Sequence, residues 1–122
     1  MATILIVDDR YANRLLVRTV LVHAGHVALE AGEAMQALEL AAERRPDLVL
    51  VDLALPGMGG TELVRALRTR NETSAIAIAL YTGSSLYPAL LDFMELYGIR
   101  QVIPKPADPQ TILQAIESAL CD

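Results

Sequence analysis

Five residues that follow short apolar runs could together carry out phosphoryl chemistry. Asp8 and Asp9 come directly after "TILIV", and Asp52 directly after "LVLV". A carboxylate can accept a phosphoryl group, and three converging carboxylates need a cation to offset their mutual repulsion. Oxygen ligands with room for water suit Mg²⁺, which takes one or two carboxylates together with phosphate oxygens. The sequence therefore predicts Asp52 as the nucleophile, with Asp8 and Asp9 as metal ligands.

Thr82, inside "LYTGSS", and Lys105, inside "VIPKPAD", complete this set. Lys105 is the only lysine in the chain, and the other nine basic residues are arginines. An ammonium group on a flexible stem is a compact point charge, which the wide planar fork of arginine does not replace. We expect the Thr82 hydroxyl to donate to one phosphoryl oxygen and Lys105 to neutralise another. Pro106 stiffens the following turn and allows a cis Lys-Pro bond.

Five apolar, β-branched runs are predicted to be the strands that position these residues: 3–7, 27–29, 48–51, 75–81 and 99–103. Several are apolar at successive positions, which is typical of parallel strands covered on both faces. Between the predicted strands, apolar residues recur at the spacing of a helix. In the fourth helix it is carried by Leu86, Leu90, Met94 and Tyr97. The last helix is predicted to begin at Pro109, with Asp108 as its N-cap.

This βα unit repeated five times predicts an α/β fold with a doubly wound, five-stranded parallel sheet. We expect a flavodoxin-like strand order, 2-1-3-4-5, in a single domain over residues 1–122. Ligands of such sheets bind beyond the carboxyl ends of the strands, which is where the polar set is predicted to lie. Only the exit of the second strand, "EAGEA", looks chemically ordinary. Glu30 and Glu33 are interpreted there as solvated residues.

Composition and charge exclude several classes of function. The net charge is −5 and no basic cluster exceeds Arg44-Arg45, so we expect no binding of nucleic acid by this chain. No apolar stretch reaches the roughly 20 residues that a membrane-spanning helix needs. "MATILIVDD" lacks the basic leader of a signal peptide, and Cys121 is the only cysteine. These features predict a cytoplasmic protein.

The motifs "ILIVDDR", "LVLVDLALPGMGG", "LYTG" and "VIPKPAD" resemble those of the receiver domains of two-component response regulators. The resemblance covers essentially the whole chain. "DDRYANR", with Asn13 and Arg14, is more similar to receivers of hybrid histidine kinases than to those fused to DNA-binding domains. The resemblance implies a signalling switch without a diffusible substrate. It also implies intrinsic phosphorylation and dephosphorylation chemistry.

The same resemblance implies a donor and a set of metal ligands. The phosphoryl group would pass to Asp52 from the phosphohistidine of a sensor histidine kinase or a histidine phosphotransfer domain. Carried over by position, Asp9 would bind Mg²⁺ directly, Asp8 would bind it through water, and the backbone carbonyl of Ala54 would complete the protein ligands. A homodimer is left open.

The chain departs from the family pattern at three positions, and two of these departures, at Gly59 and Val102, keep an alternative in view. Gly59 stands where receivers usually carry Asp, Gly83 where they carry Ala, and Val102 where many carry an aromatic residue. The alternative is a phosphorylation-independent interaction module that binds through the fourth helix and fifth strand. An enzyme is a further alternative, either a small phosphohydrolase or a flavin carrier. It fits less well, because aspartate-based phosphatases use Asp-x-Asp and flavodoxins use a Thr/Ser/Gly phosphate loop.

Overall fold

The structure is a computed structural model that describes residues 1–83 and 87–121. Strands and helices alternate along the chain: β1 (Thr3–Val7), α1 (Tyr11–His23), β2 (Val27–Ala31), α2 (Ala34–Arg44), β3 (Leu48–Asp52), α3 (Gly60–Thr69), β4 (Ala77–Thr82), α4 (Pro88–Tyr97), β5 (Gln101–Pro104) and α5 (Pro109–Cys121). The strands form one parallel sheet in the order β2-β1-β3-β4-β5. The predicted fold is confirmed.

The central strands are buried on both faces, which explains their unbroken apolar runs. In β3, Leu48 and Leu50 belong to a core cluster that includes residues of α1 and α5. Val49 and Val51 belong to the opposite cluster, which includes residues of α2 and α3. Because successive side chains of a strand point to opposite faces, a strand covered on both sides is apolar at every position. This burial holds the ends of the strands in fixed positions.

The start of β4 differs from its prediction. The apolar run was expected to form a strand from residue 75, but β4 begins at Ala77. The Ile76 N–H donates to the carbonyl oxygen of Thr73 at 3.2 Å. Ile76 therefore closes a turn after α3 and does not enter the ladder.

The start of β5 is also later than predicted, at Gln101 and not at residue 99. Gly98 adopts the left-handed conformation (φ 68°) that ends α4, and the Ile99 N–H donates to the carbonyl oxygen of Met94 at 2.8 Å. Such a bond satisfies a carbonyl of the last helical turn. Ile99, which the apolar pattern assigns to the strand, thus forms part of the C-terminal cap of α4.

The helix predictions hold where the structure describes them. The Thr111 N–H donates to Asp108 Oδ1 at 2.7 Å, which confirms Asp108 as the N-cap of α5. In α4, Leu90 is buried, and Met94 and Tyr97 pack against the same core cluster. Leu86 lies outside the described residues. None of the helices in the described part of the chain is long and apolar enough to cross a membrane.

Candidate functional site

The predicted polar set lies along one edge of the sheet, at the carboxyl ends of its strands. Asp8 follows β1 and is buried, and Asp9 beside it is exposed. Asp52 and Thr82 are the last residues of β3 and β4, and both are buried. One carboxylate oxygen from each of the three aspartates lies within 4.8 Å of the others. The parallel topology therefore brings the three carboxylates together.

Lys105 reaches this cluster from the end of β5. Its Nζ lies 2.9 Å from Asp8 Oδ2 and 3.2 Å from Asp52 Oδ2. Its backbone N–H donates to the carbonyl oxygen of Thr82 at 2.8 Å, which continues the β4–β5 ladder past its last pair. The following Lys105–Pro106 bond is cis. The ammonium group thus bridges two of the three carboxylates.

The charges at this edge do not balance. Burial lowers the pKa of Lys105, but its hydrogen bond to Asp8 and the nearby charge of Asp52 outweigh that effect, so the pKa is raised. The ammonium therefore stays protonated at neutral pH. A single ammonium facing three grouped carboxylates leaves an excess of negative charge. Such an excess, presented by oxygen ligands, fits a hard divalent cation.

The Asp52 carboxylate is fixed on both of its oxygens. Oδ1 accepts a hydrogen bond from the Ala54 N–H at 3.0 Å, and Oδ2 faces Lys105. The start of α3 packs against the backbone behind it. A Cβ at Gly60 would lie 2.5 Å from the Asp52 carbonyl oxygen and 2.6 Å from the Leu53 Cα. Only glycine fits at this position, a requirement that the sequence interpretation missed.

Tyr81, the last residue of the predicted fourth strand, is a further residue of this edge, and its contact with Lys105 was not predicted from the sequence. It is buried, and Lys105 Nζ lies 4.8 Å from the centre of its ring. Burial raises the pKa of the Tyr81 phenol, the Lys105 charge lowers it, and the net direction is upward. The neutral ring supports the lysine through a cation–π contact. An aromatic residue directly before the strand-end threonine was the available signal.

Glu30, at the exit of β2, is not a simply solvated residue, so that part of the interpretation is wrong. The Glu30 carboxylate lies 3.1 Å from Arg14 Nε and 3.6 Å from Arg18 Nη1, and its side chain is only 25% exposed. Arg14 Nη1 in turn donates to the carbonyl oxygen of Asp8 at 2.7 Å. Glu33, the other glutamate, is exposed as expected. The spacing of Arg14 and Arg18, one helical turn apart, was the signal for this contact.

The fold and this edge define a class of signalling domain. The profile described as response regulator receiver domain matches residues 4–117. The chain therefore belongs to the response regulator receiver domain family. It is a signalling phosphoacceptor domain and not a classical enzyme. The motif-based resemblance is confirmed.

Relatives and solved structures agree with this assignment. The chain is 33% identical to Protein PilH of Pseudomonas aeruginosa over 120 residues, covering 98% of each. It is 33% identical to Sporulation initiation phosphotransferase F of Bacillus subtilis over 117 residues, covering 96% of this chain and 92% of that protein. The structure of the chemotaxis protein CheY4 of Vibrio cholerae superposes with a TM-score of 0.91 at 28% identity, covering 98% of both chains. Segments of larger sensor proteins also match.

Proposed function

We propose that Asp52 accepts a phosphoryl group from a phosphohistidine in a Mg²⁺-dependent reaction, and that the chain then acts as a conformational switch. The donor is a sensor histidine kinase or a histidine phosphotransfer domain. The observation that carries the proposal is the grouping of three carboxylates around one lysine at the carboxyl edge of the sheet. The name of the Bacillus relative, a phosphotransferase, supports the same reaction.

In the transfer step, one oxygen of the Asp52 carboxylate attacks the phosphorus atom. The P–N bond to the donor imidazole breaks, and its electron pair stays on the imidazole nitrogen. The O–P bond of an acyl phosphate forms in its place. Thr82 donates its hydroxyl to one phosphoryl oxygen, and Lys105 neutralises another. Lys105 already lies 3.2 Å from the accepting carboxylate.

The acidic cluster supplies the ligands for the metal ion. Asp8, Asp9 and Asp52 would hold Mg²⁺, with the backbone carbonyl of Ala54 as the remaining protein ligand. When bound, Mg²⁺ offsets the charge that develops on the phosphoryl oxygens. Without it, Lys105 is the cation that faces both Asp8 and Asp52. Metal binding would therefore release the ammonium group for the phosphoryl group.

Residues 1–122 act as one receiver domain in the cytoplasm. The single cysteine, exposed and free, is compatible with a reducing compartment. The phosphorylation-independent alternative has less support, because the described edge keeps every carboxylate and the lysine that the chemistry needs. Assembly as a homodimer stays a prediction.

Intact-mass measurement after incubation with acetyl phosphate tests this function. We expect the wild-type chain to gain one phosphoryl group when Mg²⁺ is present and to gain none when it is chelated. The Asp52→Asn variant should gain none under either condition. Because acetyl phosphate carries no kinase, a gain would also reveal intrinsic phosphorylation chemistry. A gain that persists in the variant, or that needs no metal, would contradict the proposal.

A further inference from the structure

The backbone of Asp8 is bonded on both sides of the residue. Its N–H donates to the carbonyl oxygen of Ala31 at 3.1 Å, and its carbonyl oxygen accepts from Arg14 Nη1 at 2.7 Å. The second bond holds the peptide group between Asp8 and Asp9. The orientation of that peptide group determines how the two neighbouring carboxylates are presented to the cluster.

Arg14 is itself anchored to β2. Its Nε donates to Glu30 Oε1 at 3.1 Å, and only 18% of its side chain is exposed. Glu30 is the neighbour of Ala31, which accepts the Asp8 N–H directly. Both connections of Asp8 therefore lead to adjacent residues of β2. Strand β2, whose exit carries none of the proposed reacting groups, thus holds the start of the β1–α1 loop.

We propose that Arg14, anchored by Glu30, is a positioning residue for the divalent-cation site. It fixes the Asp8–Asp9 peptide so that the two carboxylates keep the spacing that the ion requires. The inference rests on the proposed function, and it assigns a role to two residues that are not among the proposed metal ligands or phosphoryl-binding residues.

The planar fork of the guanidinium group suits this role. It presents N–H groups in two fixed directions, one toward Glu30 and one toward the Asp8 carbonyl oxygen. A lysine ammonium is a single point and does not reproduce both bonds in one orientation. Mg²⁺ demands near-ideal octahedral geometry, so a small displacement of its ligands weakens binding. Loss of a partner that orients metal ligands typically lowers metal affinity by about 10- to 100-fold.

Calorimetric titration with Mg²⁺ alone measures this role. We expect Arg14→Met to weaken Mg²⁺ binding by about tenfold or more, and Arg14→Lys to fall between Arg14→Met and the wild type. The matched control is Arg18→Met. Arg18 also faces Glu30, at 3.6 Å, but its side chain is 54% exposed. It carries the same charge as Arg14 on the same helix, so Arg18→Met matches the charge change. Because the bond to the Asp8 carbonyl oxygen comes from Arg14, Arg18→Met should change the affinity for Mg²⁺ less than twofold.

A double variant separates positioning from charge. Arg14→Met combined with Glu30→Gln has the net charge of the wild type, because one charge of each sign is removed. If Arg14 acts only by its positive charge, Arg14→Met binds Mg²⁺ more tightly than the wild type, because a like charge beside the site is removed, and the double variant returns to wild-type affinity. If Arg14 acts by positioning, the double variant binds as weakly as Arg14→Met alone, because two residues that act as one unit are not additive.

NMR of the metal-free chain gives a second readout, which also shows whether each variant is folded. We expect Arg14→Met to shift the backbone amide signals of Asp8 and Asp9, with most signals of the sheet unchanged, and Arg18→Met to leave both in place. Wild-type Mg²⁺ affinity in Arg14→Met, or equal losses in Arg14→Met and Arg18→Met, would overturn the inference. If the wild type itself fails to bind Mg²⁺, the proposed function fails. The amide signals then still decide whether Arg14 positions the acidic pair.

Discussion

Charged side chains at the two ends of the sheet have different kinds of partner. At the carboxyl end, the carboxylates of Asp8, Asp9 and Asp52 lie together with one lysine among them. At the amino end, each of two charged side chains is bonded to backbone groups. Asp47 Oδ2 accepts from the Thr3 N–H at 2.8 Å. Arg68 donates to three carbonyl oxygens, those of Tyr97, Ser74 and Ile76, at 2.9, 3.1 and 2.6 Å.

This difference distinguishes a structural charge from a functional one. Burial lowers the pKa of Arg68, yet its guanidinium remains charged at neutral pH, and its carbonyl partners belong to the fold itself. Its interactions are complete without any further molecule. At the carboxyl end the charged groups face each other, and their excess of negative charge is offset only by a cation from outside the chain. A ligand is therefore expected at the carboxyl end.

Matched substitutions at the two ends of β3 should give the strongest contrast. Asp52→Asn should abolish phosphorylation by acetyl phosphate, whereas Asp47→Asn should leave its extent unchanged. The amide oxygen of an asparagine at position 47 can still accept the Thr3 N–H, so the free energy of unfolding should fall by less than about 1 kcal/mol. Intact mass and urea denaturation measure the two quantities. Loss of phosphorylation in both variants would remove the distinction between the two ends.

Lys105→Met should separate the two roles of the lysine. Without the ammonium group, the rate of phosphorylation should fall by about 100-fold, as for removal of one donor to a developing charge. The affinity for Mg²⁺ should instead rise several-fold, because Nζ no longer competes for Asp8 and Asp52. Stopped-flow phosphorylation and calorimetry measure the two changes. Unchanged Mg²⁺ affinity would show that Lys105 does not compete with the ion.

At the amino end, Arg68→Met should lower the stability of the fold without changing the affinity for Mg²⁺. It removes three hydrogen bonds to backbone carbonyl oxygens, which should cost about 2 kcal/mol of the free energy of unfolding. Mg²⁺ affinity, measured by the same calorimetry, should not change. Arg65→Met, at an exposed position of the same helix, is the matched control and should cost less than about 0.5 kcal/mol. A large loss of metal affinity in Arg68→Met would argue against a purely structural role.

The stability of the metal-free chain should depend weakly on pH in the alkaline range. The pKa of Lys105 is raised in the folded chain above its ordinary value of 10.5. Its contribution to stability is therefore complete below that ordinary value and is lost as the pH rises through the raised pKa. We expect the difference in unfolding free energy between wild type and Lys105→Met to shrink across this window. A difference that grows there would mean that the carboxylates do not stabilise the ammonium form.

The topology explains why most of the site could be predicted from the sequence. A parallel sheet in the order 2-1-3-4-5 puts the carboxyl ends of β1, β3, β4 and β5 on one edge. Residues that directly follow the apolar runs in the sequence must therefore lie at that edge. This reasoning was sufficient for Asp8, Asp52 and Lys105. It could not show that the Tyr81 ring lies beneath the lysine, because that contact depends on how β5 leaves the sheet.

Other contacts depend on interactions between residues that are distant in the sequence. Glu30 looks solvated in the sequence, and only the packing of α1 beside β2 brings Arg14 to it. Ile76 is as apolar as the strand that follows. Its exclusion from β4 reflects a turn to Thr73 and a hydrogen bond from Arg68, neither of which local periodicity contains. The secondary structure and the polar residues at the strand ends could be predicted from the sequence, whereas the partners that orient those residues could not.

Chemical trapping identifies which of the three grouped carboxylates accepts the phosphoryl group, and we expect it to be Asp52. The chain would be phosphorylated with acetyl phosphate and Mg²⁺ and then treated with sodium borohydride, which reduces an aspartyl phosphate to homoserine. Peptide sequencing by mass spectrometry locates the change, and Asp47, directly before the same strand, is an internal control. Homoserine at position 52 alone is the predicted result. Homoserine at position 8 or 9, or an unmodified Asp52 in a chain that has gained a phosphoryl group, would contradict the assignment of Asp52 as the phosphoryl acceptor.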